Sequence, residues 1–170
     1  MNRDLVNRCS WARENDPLMV KYHDEEYGVK RFGLKPYFEK LCLESFQAGL
    51  SWRTILHKRE AFRKAFYEFD PYIVKNIGQE EVFALMHNKD IVRNKRKIEA
   101  VIKNACLVVE IEEDIGFENY INSFDDGKML AVELKKKGFS FIGETICCEY
   151  LTSIGALRVP HEENCFMFRP

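Results

Sequence analysis

The two ends of this chain carry side chains that one metal ion could join. Cys9 is followed by His23 near the N-terminus, and His161 is followed by Cys165 near the C-terminus. Two thiolates and two neutral imidazoles form the closed tetrahedral ligand set of a structural zinc site. Each pair alone is a weak signal, because such Cys and His spacings also arise by chance. If all four residues meet, the fold must bring its first and last segments together.

Composition limits the class of protein. A length of 170 residues with 46% hydrophobic residues predicts one domain, or one domain with a small lobe, around a sizeable core. The formal net charge of −1 does not favour nucleic-acid binding, although a local basic cluster would suffice for it. No apolar run approaches a membrane span, and the opening residues lack a signal core. We therefore expect a cytoplasmic protein that does not contact a membrane.

The six cysteines are expected to be thiols in a reducing compartment. Cys42, Cys106 and Cys147 fall within apolar helical patterns, so we interpret them as packing residues.

Apolar residues recur at three- and four-residue spacing along most of the chain, and strand-like alternation is nearly absent. The pattern predicts a compact all-α fold. The individual signals are a helix over residues 37–50, a second helix capped by Ser51, a helix start at Asp70-Pro71, a short helix over 80–86, a long helix capped by Asp90, a helix over 128–137 that stops at Gly138, and a last helix between Gly143 and Gly155.

Two polar segments suggest a contact with a charged partner. The run from Arg93 to Lys97 has four cations in five residues, which indicates either a solvated helix face or a DNA contact. The segment from Gly138 to Gly143 joins two predicted helices by a short hairpin. Such a hairpin can direct backbone N–H groups at a phosphate, although an ordinary corner between helices has the same pattern.

Ordered motifs along the whole chain give a more specific indication. They are Arg8-Cys9-Ser10-Trp11, Asp16-Pro17-Leu18, Tyr22-His23-Asp24, Glu26-Tyr27-Gly28-Val29, the stretch from Leu43 to Trp52, Lys58-Arg59-Glu60, Phe69-Asp70-Pro71, residues 91–95, Lys97-Ile98, Gly138-Phe139, residues 141–143, Thr145-Ile146-Cys147, His161 and Cys165. In these motifs the chain resembles the 3-methyladenine DNA glycosylase I family, which are base-excision repair enzymes with a helix-hairpin-helix fold. The stretch from Leu43 to Trp52 is the most specific of them.

The resemblance implies a single DNA glycosylase domain over residues 1–170, expected to be a monomer. It also implies one structural zinc ion held by Cys9, His23, His161 and Cys165, which would join the N- and C-terminal segments. Four protein ligands would leave no open position on the metal for catalysis. The expected DNA contacts are Arg93, Lys95, Gly138 and Gly143.

The base pocket of the family falls on Glu44 as the catalytic residue and on Tyr22, Tyr27 and Trp52 as base-binding residues. These residue types suit a flat, positively charged ring that has left the base stack, because aromatic faces attract cations and a carboxylate accepts hydrogen bonds from an amine. Other interpretations of the same residues remain open. Glu44 could be a surface partner of Lys40, Trp52 a core residue, and the two tyrosines anchors of a loop near the metal.

Several positions depart from the family pattern. Met19 stands where an aromatic residue often lines the pocket, Tyr27 replaces a Trp, and Asn122 replaces another Trp. Asp90 replaces a glycine, and Glu144 adds an anion beside the hairpin.

The resemblance implies a monofunctional enzyme that hydrolyses the N-glycosidic bond of 3-methyladenine in alkylated double-stranded DNA and releases the free base. The departures motivate an alternative, a non-catalytic zinc-stapled module that binds damaged or distorted duplex. A helical protein-interaction domain is a third reading, supported only by the near-neutral charge.

Overall fold

The computed structural model describes residues 6–12 and 15–170, and the regular secondary structure in these ranges is entirely helical. The nine α-helices found in these two ranges are α1 (Pro17–Glu25), α2 (Leu34–Gln47), α3 (Trp52–Ala65), α4 (Pro71–Val74), α5 (Gln79–His87), α6 (Lys95–Asp114), α7 (Phe117–Asn122), α8 (Gly127–Lys136) and α9 (Glu144–Ser153). The all-α prediction is confirmed. Within the described ranges, no helix is both long enough and apolar enough to cross a bilayer. The assignment of residues 1–170 to one domain stays a prediction, and residues 1–5, 13 and 14 lie outside the described part.

Local chemistry explains most helix ends. The hydroxyl of Ser51 accepts a hydrogen bond from the Thr54 N–H at 3.2 Å, and a carboxylate oxygen of Asp70 accepts one from the Tyr72 N–H at 3.0 Å. Both are the predicted caps. Beyond α8, Gly138 has φ +97, a left-handed conformation that favours glycine at the end of a helix. By contrast, α2 is shifted by three residues toward the N-terminus relative to the predicted range: it spans Leu34–Gln47 instead of 37–50.

The predicted cap of the long helix is wrong. Asn94, not Asp90, caps α6, because its side-chain oxygen accepts a hydrogen bond from the Lys97 N–H at 3.2 Å. The N–H of Asp90 instead donates to the side-chain oxygen of Asn88 in the preceding turn. Both residue types cap helices well, so the composition of this segment alone did not fix the first turn.

The core forms around α2, which contacts α3, α6, α7 and α9. Every residue of α2 from Tyr37 to Phe46 is buried except Glu39. Over this segment the helix has almost no solvent-facing surface to carry its polar residues. Lys40 and Glu44 are therefore inside the protein, with exposed fractions of 6% and 4%.

The packing role predicted for the cysteines is confirmed at two positions. Cys42 and Cys147 are buried in the core, whereas Cys106 is exposed. The prediction for Cys106 is wrong because this residue lies between the buried stripe positions Ala105 and Val108 and points away from them.

Candidate active site and Cys/His cluster

A cavity of about 570 Å³ opens between α1, α2, α3 and α9. A tight turn brings its residues together: the Leu50 N–H donates to the Gln47 carbonyl at 2.6 Å, and Gly49 has φ +82. This turn allows the end of α2 and the start of α3 to face the same space. The cavity is lined by Trp11, Asn15, Asp16, Met19, Tyr22, Tyr27, Glu44, Gln47, Ser51, Trp52, Arg53 and Glu149.

The aromatic side chains form one continuous wall. Ring centroids are 5.2 Å apart for Tyr22 and Trp52, 5.7 Å for Tyr22 and Tyr27, and 5.5 Å for Trp11 and Tyr27. The structure thus places all four predicted pocket residues, Glu44 included, on one cavity. Their roles toward a base stay predictions. Trp11 is an additional aromatic lining residue, which in the sequence stands out only as part of the Arg8-Cys9-Ser10-Trp11 motif.

Glu44 is paired with Lys40, as the alternative interpretation held, but the pair is buried instead of lying on the surface. The ammonium of Lys40 lies 3.4 Å from the Glu44 carboxylate and donates a hydrogen bond to the Tyr22 hydroxyl at 2.6 Å. Burial raises the pKa of Glu44, and the nearby ammonium opposes that rise. Burial lowers the pKa of Lys40 to about 8. The attraction between the two groups favours the charged form of each.

A second carboxylate, that of Asp16, lines the same cavity. It lies 2.6 Å from Nε of Arg53 and 2.9 Å from Nε2 of His57, and it caps α1 by accepting from the Met19 N–H. The hydrogen bond from His57, followed by that from Arg53, lowers the pKa of Asp16 to about 2. In the sequence, Asp16 stood out only as part of the Asp16-Pro17-Leu18 motif, which gave no sign of the partners on α3.

Glu149 on α9 is a third carboxylate at the cavity, and it is exposed. It belongs to no motif of the sequence analysis. Only the packing of α9 against α2 brings it to this site.

The Cys/His cluster lies where the two ends of the chain meet. The ligand atoms of Cys9, His23, His161 and Cys165 all lie within 4.8 Å of one another. The Cys9 sulfur is 3.3 Å from Nδ1 of His161, and the Cys165 sulfur is 3.4 Å from Nε2 of His23. The donor set and its compactness fit a tetrahedral zinc site. Burial raises the pKa of the Cys9 thiol to about 11, so a bound metal would have to displace that proton.

A second layer of polar contacts orients one of these ligands. Nδ1 of His23 lies 2.8 Å from Oδ1 of Asp24. The two oxygens of this carboxylate also accept hydrogen bonds from two nitrogens of the Arg8 guanidinium at 2.8 to 3.1 Å. If Nδ1 carries the proton, Nε2 keeps a lone pair directed at the cluster. A carboxylate behind a histidine is the usual companion of a metal-binding imidazole.

The basic run is divided between solvent and core. Arg93 and Lys95 are exposed, as a DNA contact would need. Lys97 is buried and donates to the carbonyls of Phe46 and Ala48 at 2.7 and 2.5 Å. The expectation that the whole run faces DNA is therefore wrong for Lys97. Its ammonium satisfies carbonyl groups at the end of α2.

The hairpin between α8 and α9 is fixed to α6. The Asn104 amide accepts from the Ser140 N–H at 2.9 Å and donates to the Ser140 carbonyl at 3.0 Å. Gly143 precedes α9, and no side chain caps the N–H groups there. Gly138 and Gly143 thus bound a braced turn, and their contact with DNA stays a prediction.

Comparison with known proteins decides the family. Residues 11–132 match the model of the methyladenine glycosylase family. The DNA-3-methyladenine glycosylase of Haemophilus influenzae is 37% identical over 182 residues, covering 95% of this chain and 97% of the relative. The chain belongs to the methyladenine glycosylase family.

Solved structures of the family share the fold. A crystal structure of 3-methyladenine DNA glycosylase I has a TM-score of 0.89 and 35% identity, covering 96% of this chain and all of the other. A variant of 3-methyladenine DNA glycosylase I in complex with 3-methyladenine has a TM-score of 0.84 and 30% identity, covering 94% and 96%.

The departures from the family pattern are accommodated in different ways. Met19 is buried, lines the cavity and packs with Tyr22 and Leu56, so it supplies apolar surface in place of a ring. The side-chain oxygen of Asn122 accepts a hydrogen bond from the Tyr37 hydroxyl at 3.0 Å. Asp90 and Glu144 are exposed. Neither Asp90 nor Glu144 lines the cavity.

Proposed function

We propose that this methyladenine glycosylase hydrolyses the N-glycosidic bond of 3-methyladenine in alkylated double-stranded DNA. The observation that carries the proposal is the cavity, in which a buried carboxylate lies beside an aromatic wall. A relative of closely similar fold is known in complex with 3-methyladenine. A volume of about 570 Å³ is within the range of small-molecule sites and can accept one purine.

The chemistry requires recognition more than acid catalysis. Methylation at N3 gives adenine a positive charge and weakens its bond to the sugar, so the base can leave as a neutral molecule without being protonated. The lesion must first leave the stack, which costs less for a damaged base. Tyr22, Tyr27 and Trp52 would stack on the extrahelical ring. Glu44 would accept a hydrogen bond from the exocyclic amine.

No lysine nucleophile is needed for this reaction. Water attacks the sugar during or after departure of the base, which makes the enzyme monofunctional.

A structural zinc ion is part of the proposal. Cys9, His23, His161 and Cys165 would hold it, and it would contribute a cross-link between the two ends of the chain. Because four protein ligands complete its coordination, the ion would take no part in the reaction. The closeness of the four ligand atoms supports this role.

The DNA surface is proposed to combine the exposed cations Arg93 and Lys95 at the start of α6 with the hairpin between α8 and α9. Arg93 and Lys95 would neutralise phosphates, and the uncapped N–H groups after Gly143 would donate to one. The exposure of both cations supports this surface. The enzyme would act as a monomer.

Release of the base from methylated DNA tests the proposal. Purified protein is incubated with N-methylated duplex, and free 3-methyladenine is measured by chromatography. We expect release by the parent. Glu44→Gln should bind the free base more weakly by roughly one to two powers of ten, because a charge-assisted hydrogen bond contributes about 1.5–3 kcal/mol. Binding of alkylated duplex without release would favour the non-catalytic module, and equal base affinity of the variant would remove Glu44 from the site.

A further inference from the structure

Lys40 is a buried cation beside the cavity that the proposed recognition of the base does not use. Its ammonium lies 3.4 Å from the Glu44 carboxylate and 2.6 Å from the Tyr22 hydroxyl. The same nitrogen is 3.8 Å from the centre of the Trp52 ring, which is a close cation–π contact. A cation of the protein therefore already engages the carboxylate and the indole ring that are proposed to receive a positively charged base.

Trp52 lies between the Lys40 ammonium and the cavity proposed to hold the base. Its ring lines both the cavity of about 570 Å³ and a smaller one of about 100 Å³, and Lys40 lines the smaller one. A base in the larger cavity would meet Trp52 and Glu44, while Lys40 contacts the same two groups from the smaller cavity. An ammonium on an indole weakens the attraction of that ring for a second cation. Its pairing with Glu44 also compensates the charge of the carboxylate.

The charge of the base changes during the reaction. Before cleavage the methylated base is positive and attached to the sugar. When the glycosidic bond breaks, its electron pair passes to the base, which leaves as a neutral molecule. The sugar takes the positive charge until the oxygen of water bonds to it and a proton of that water passes to solvent. An ammonium close to the base opposes the charge before cleavage and has little effect on the base afterwards.

We propose that Lys40 is a positioning and specificity residue that makes the cavity favour the neutral, departing base over the charged base still joined to the sugar. This inference rests on the proposed function. Only interactions that are more favourable in the transition state than in the bound substrate accelerate a reaction. Glu44 and the aromatic wall would hold the base. Lys40 would favour the transfer of positive charge from the base to the sugar as the glycosidic bond breaks.

The charged groups around Lys40 predict a dependence on pH. Glu44 lies on the same helix and Tyr22 on α1. The pKa of Lys40 is lowered to about 8, mainly by burial and also by the cations Arg31 and Arg59, while Glu44 opposes the lowering. The smaller cavity is also lined by Glu39 and Arg63. A second positive charge in the larger cavity would favour loss of the Lys40 proton. Binding of a permanently cationic base should therefore strengthen as the pH rises through that pKa, and binding of a neutral base should not.

Two ligands and a matched set of variants test this role. The ligands are neutral 3-methyladenine and the fixed cation made by methylating adenine at both N3 and N9, where a methyl group replaces the sugar. Calorimetry compares the parent with Lys40→Met, which removes the charge and keeps a straight side chain. Lys40→Arg is the charge-keeping variant. Lys58→Met is the control, because Lys58 donates to the carbonyls of Lys89 and Asp90 outside the cavity.

The ratio of the affinities for the cation and the neutral base is the decisive quantity. In Lys40→Met this ratio should rise on the order of tenfold or more, the scale of one unit charge near a partly screened site. Its pH dependence should disappear, and single-turnover release of 3-methyladenine should slow. Lys40→Arg and Lys58→Met should keep the ratio of the parent. If Lys40→Met does not fold, Lys40→Gln removes the charge and keeps a hydrogen-bonding group near Tyr22.

The outcomes separate the two proposals. If the parent binds and excises the base but the charge-removing variants keep its ratio and pH profile, Lys40 has only a structural role and the inference is overturned. If the parent binds neither ligand and releases no base, the proposed function fails and the role of Lys40 fails with it.

Discussion

The Cys/His cluster and the Lys40–Glu44 pair are both groups of ionisable side chains inside the protein, but they differ in where a positive charge comes from. In the pair, the chain supplies both signs, with an ammonium 3.4 Å from a carboxylate. In the cluster, four metal-ligand atoms face one another within 4.8 Å, and the positive charge would be that of a bound ion. The ion pair contains both charges within the chain, whereas the cluster would gain its positive charge only when a metal ion binds.

This difference has consequences for stability and for function. A cross-link made by a metal joins segments that are far apart in sequence, here Cys9 and Cys165, and its contribution is lost when the metal is removed. A buried ion pair contributes little net stability, because desolvation opposes the attraction, but removal of one partner leaves a costly unpaired charge. We therefore expect the cluster to stabilise the fold and the pair to define the charge of the cavity.

The largest effect is expected at the metal. Cys165→Ala should lose zinc and a large part of the stability that zinc binding contributes to the fold. In zinc-finger peptides the free energy of zinc binding is roughly 10–16 kcal/mol. The loss should be smaller here because the domain has an extended core of its own. Metal analysis and thermal unfolding measure the two effects. Cys106→Ala, at an exposed cysteine, is the matched control. A parent protein without zinc that keeps its full stability in a chelator would contradict the metal site.

The second-largest effect on stability is expected at the buried Lys40–Glu44 pair. Lys40→Met and Glu44→Gln should each lower the free energy of unfolding by at most about 3–5 kcal/mol, because each variant leaves one buried charge without its partner. The double variant should be close to the parent, since it removes both charges. Urea denaturation of all four proteins gives the coupling energy. Additive losses would mean that the two side chains do not compensate each other.

These two regions were also predictable from sequence to different degrees. The metal cluster was suggested by the pairs at the two ends of the chain, but each pair alone is a weak signal, and the full ligand set came from the family resemblance. The structure does bring the four residues together. The cavity needed the family resemblance. Periodicity could not decide whether Glu44 faces a pocket or solvent beside Lys40, because the neighbours of α2 come from helices distant in sequence. Those neighbours bury both residues.

The remaining differences between the sequence-based predictions and the structure arise at residues whose contacts come from helices distant in sequence. Ser51 and Asp70 could be identified as caps because the interaction is local. The contacts of Asp16 with Arg53 and His57, and the position of Glu149 at the cavity, depend on the packing of helices that are distant in sequence. Lys97 was grouped with the exposed cations beside it because a run of charges does not show which member faces the core.

Lys97 offers a third arrangement, a buried cation that meets dipoles instead of a carboxylate. It donates to the carbonyls of Phe46 and Ala48 at the end of α2. Lys97→Met should lower the free energy of unfolding by about 1–3 kcal/mol, because at least one buried carbonyl loses its donor. Lys95→Met, on the exposed side of the same helix, should change it by less than about 0.5 kcal/mol. Equal effects in urea denaturation would show that the burial of Lys97 has no energetic consequence.

The smallest effect on stability is expected where the cations are not buried at all. Arg93 and Lys95 are exposed, so replacing both with Gln should leave the free energy of unfolding nearly unchanged. If they contact phosphates, the variant should bind duplex DNA more weakly, to a similar degree across sequences. Each lost contact should reduce the slope of log affinity against log salt by about 0.9, so the pair should reduce it by nearly 2. Fluorescence anisotropy over a range of salt concentrations measures this slope. Lys64→Gln, at an exposed position on α3, removes one surface cation away from the proposed DNA surface and controls for a general effect of lost positive charge. If both variants show the slope of the parent, the DNA surface lies elsewhere, and if Lys64→Gln alone lowers the slope, it includes α3.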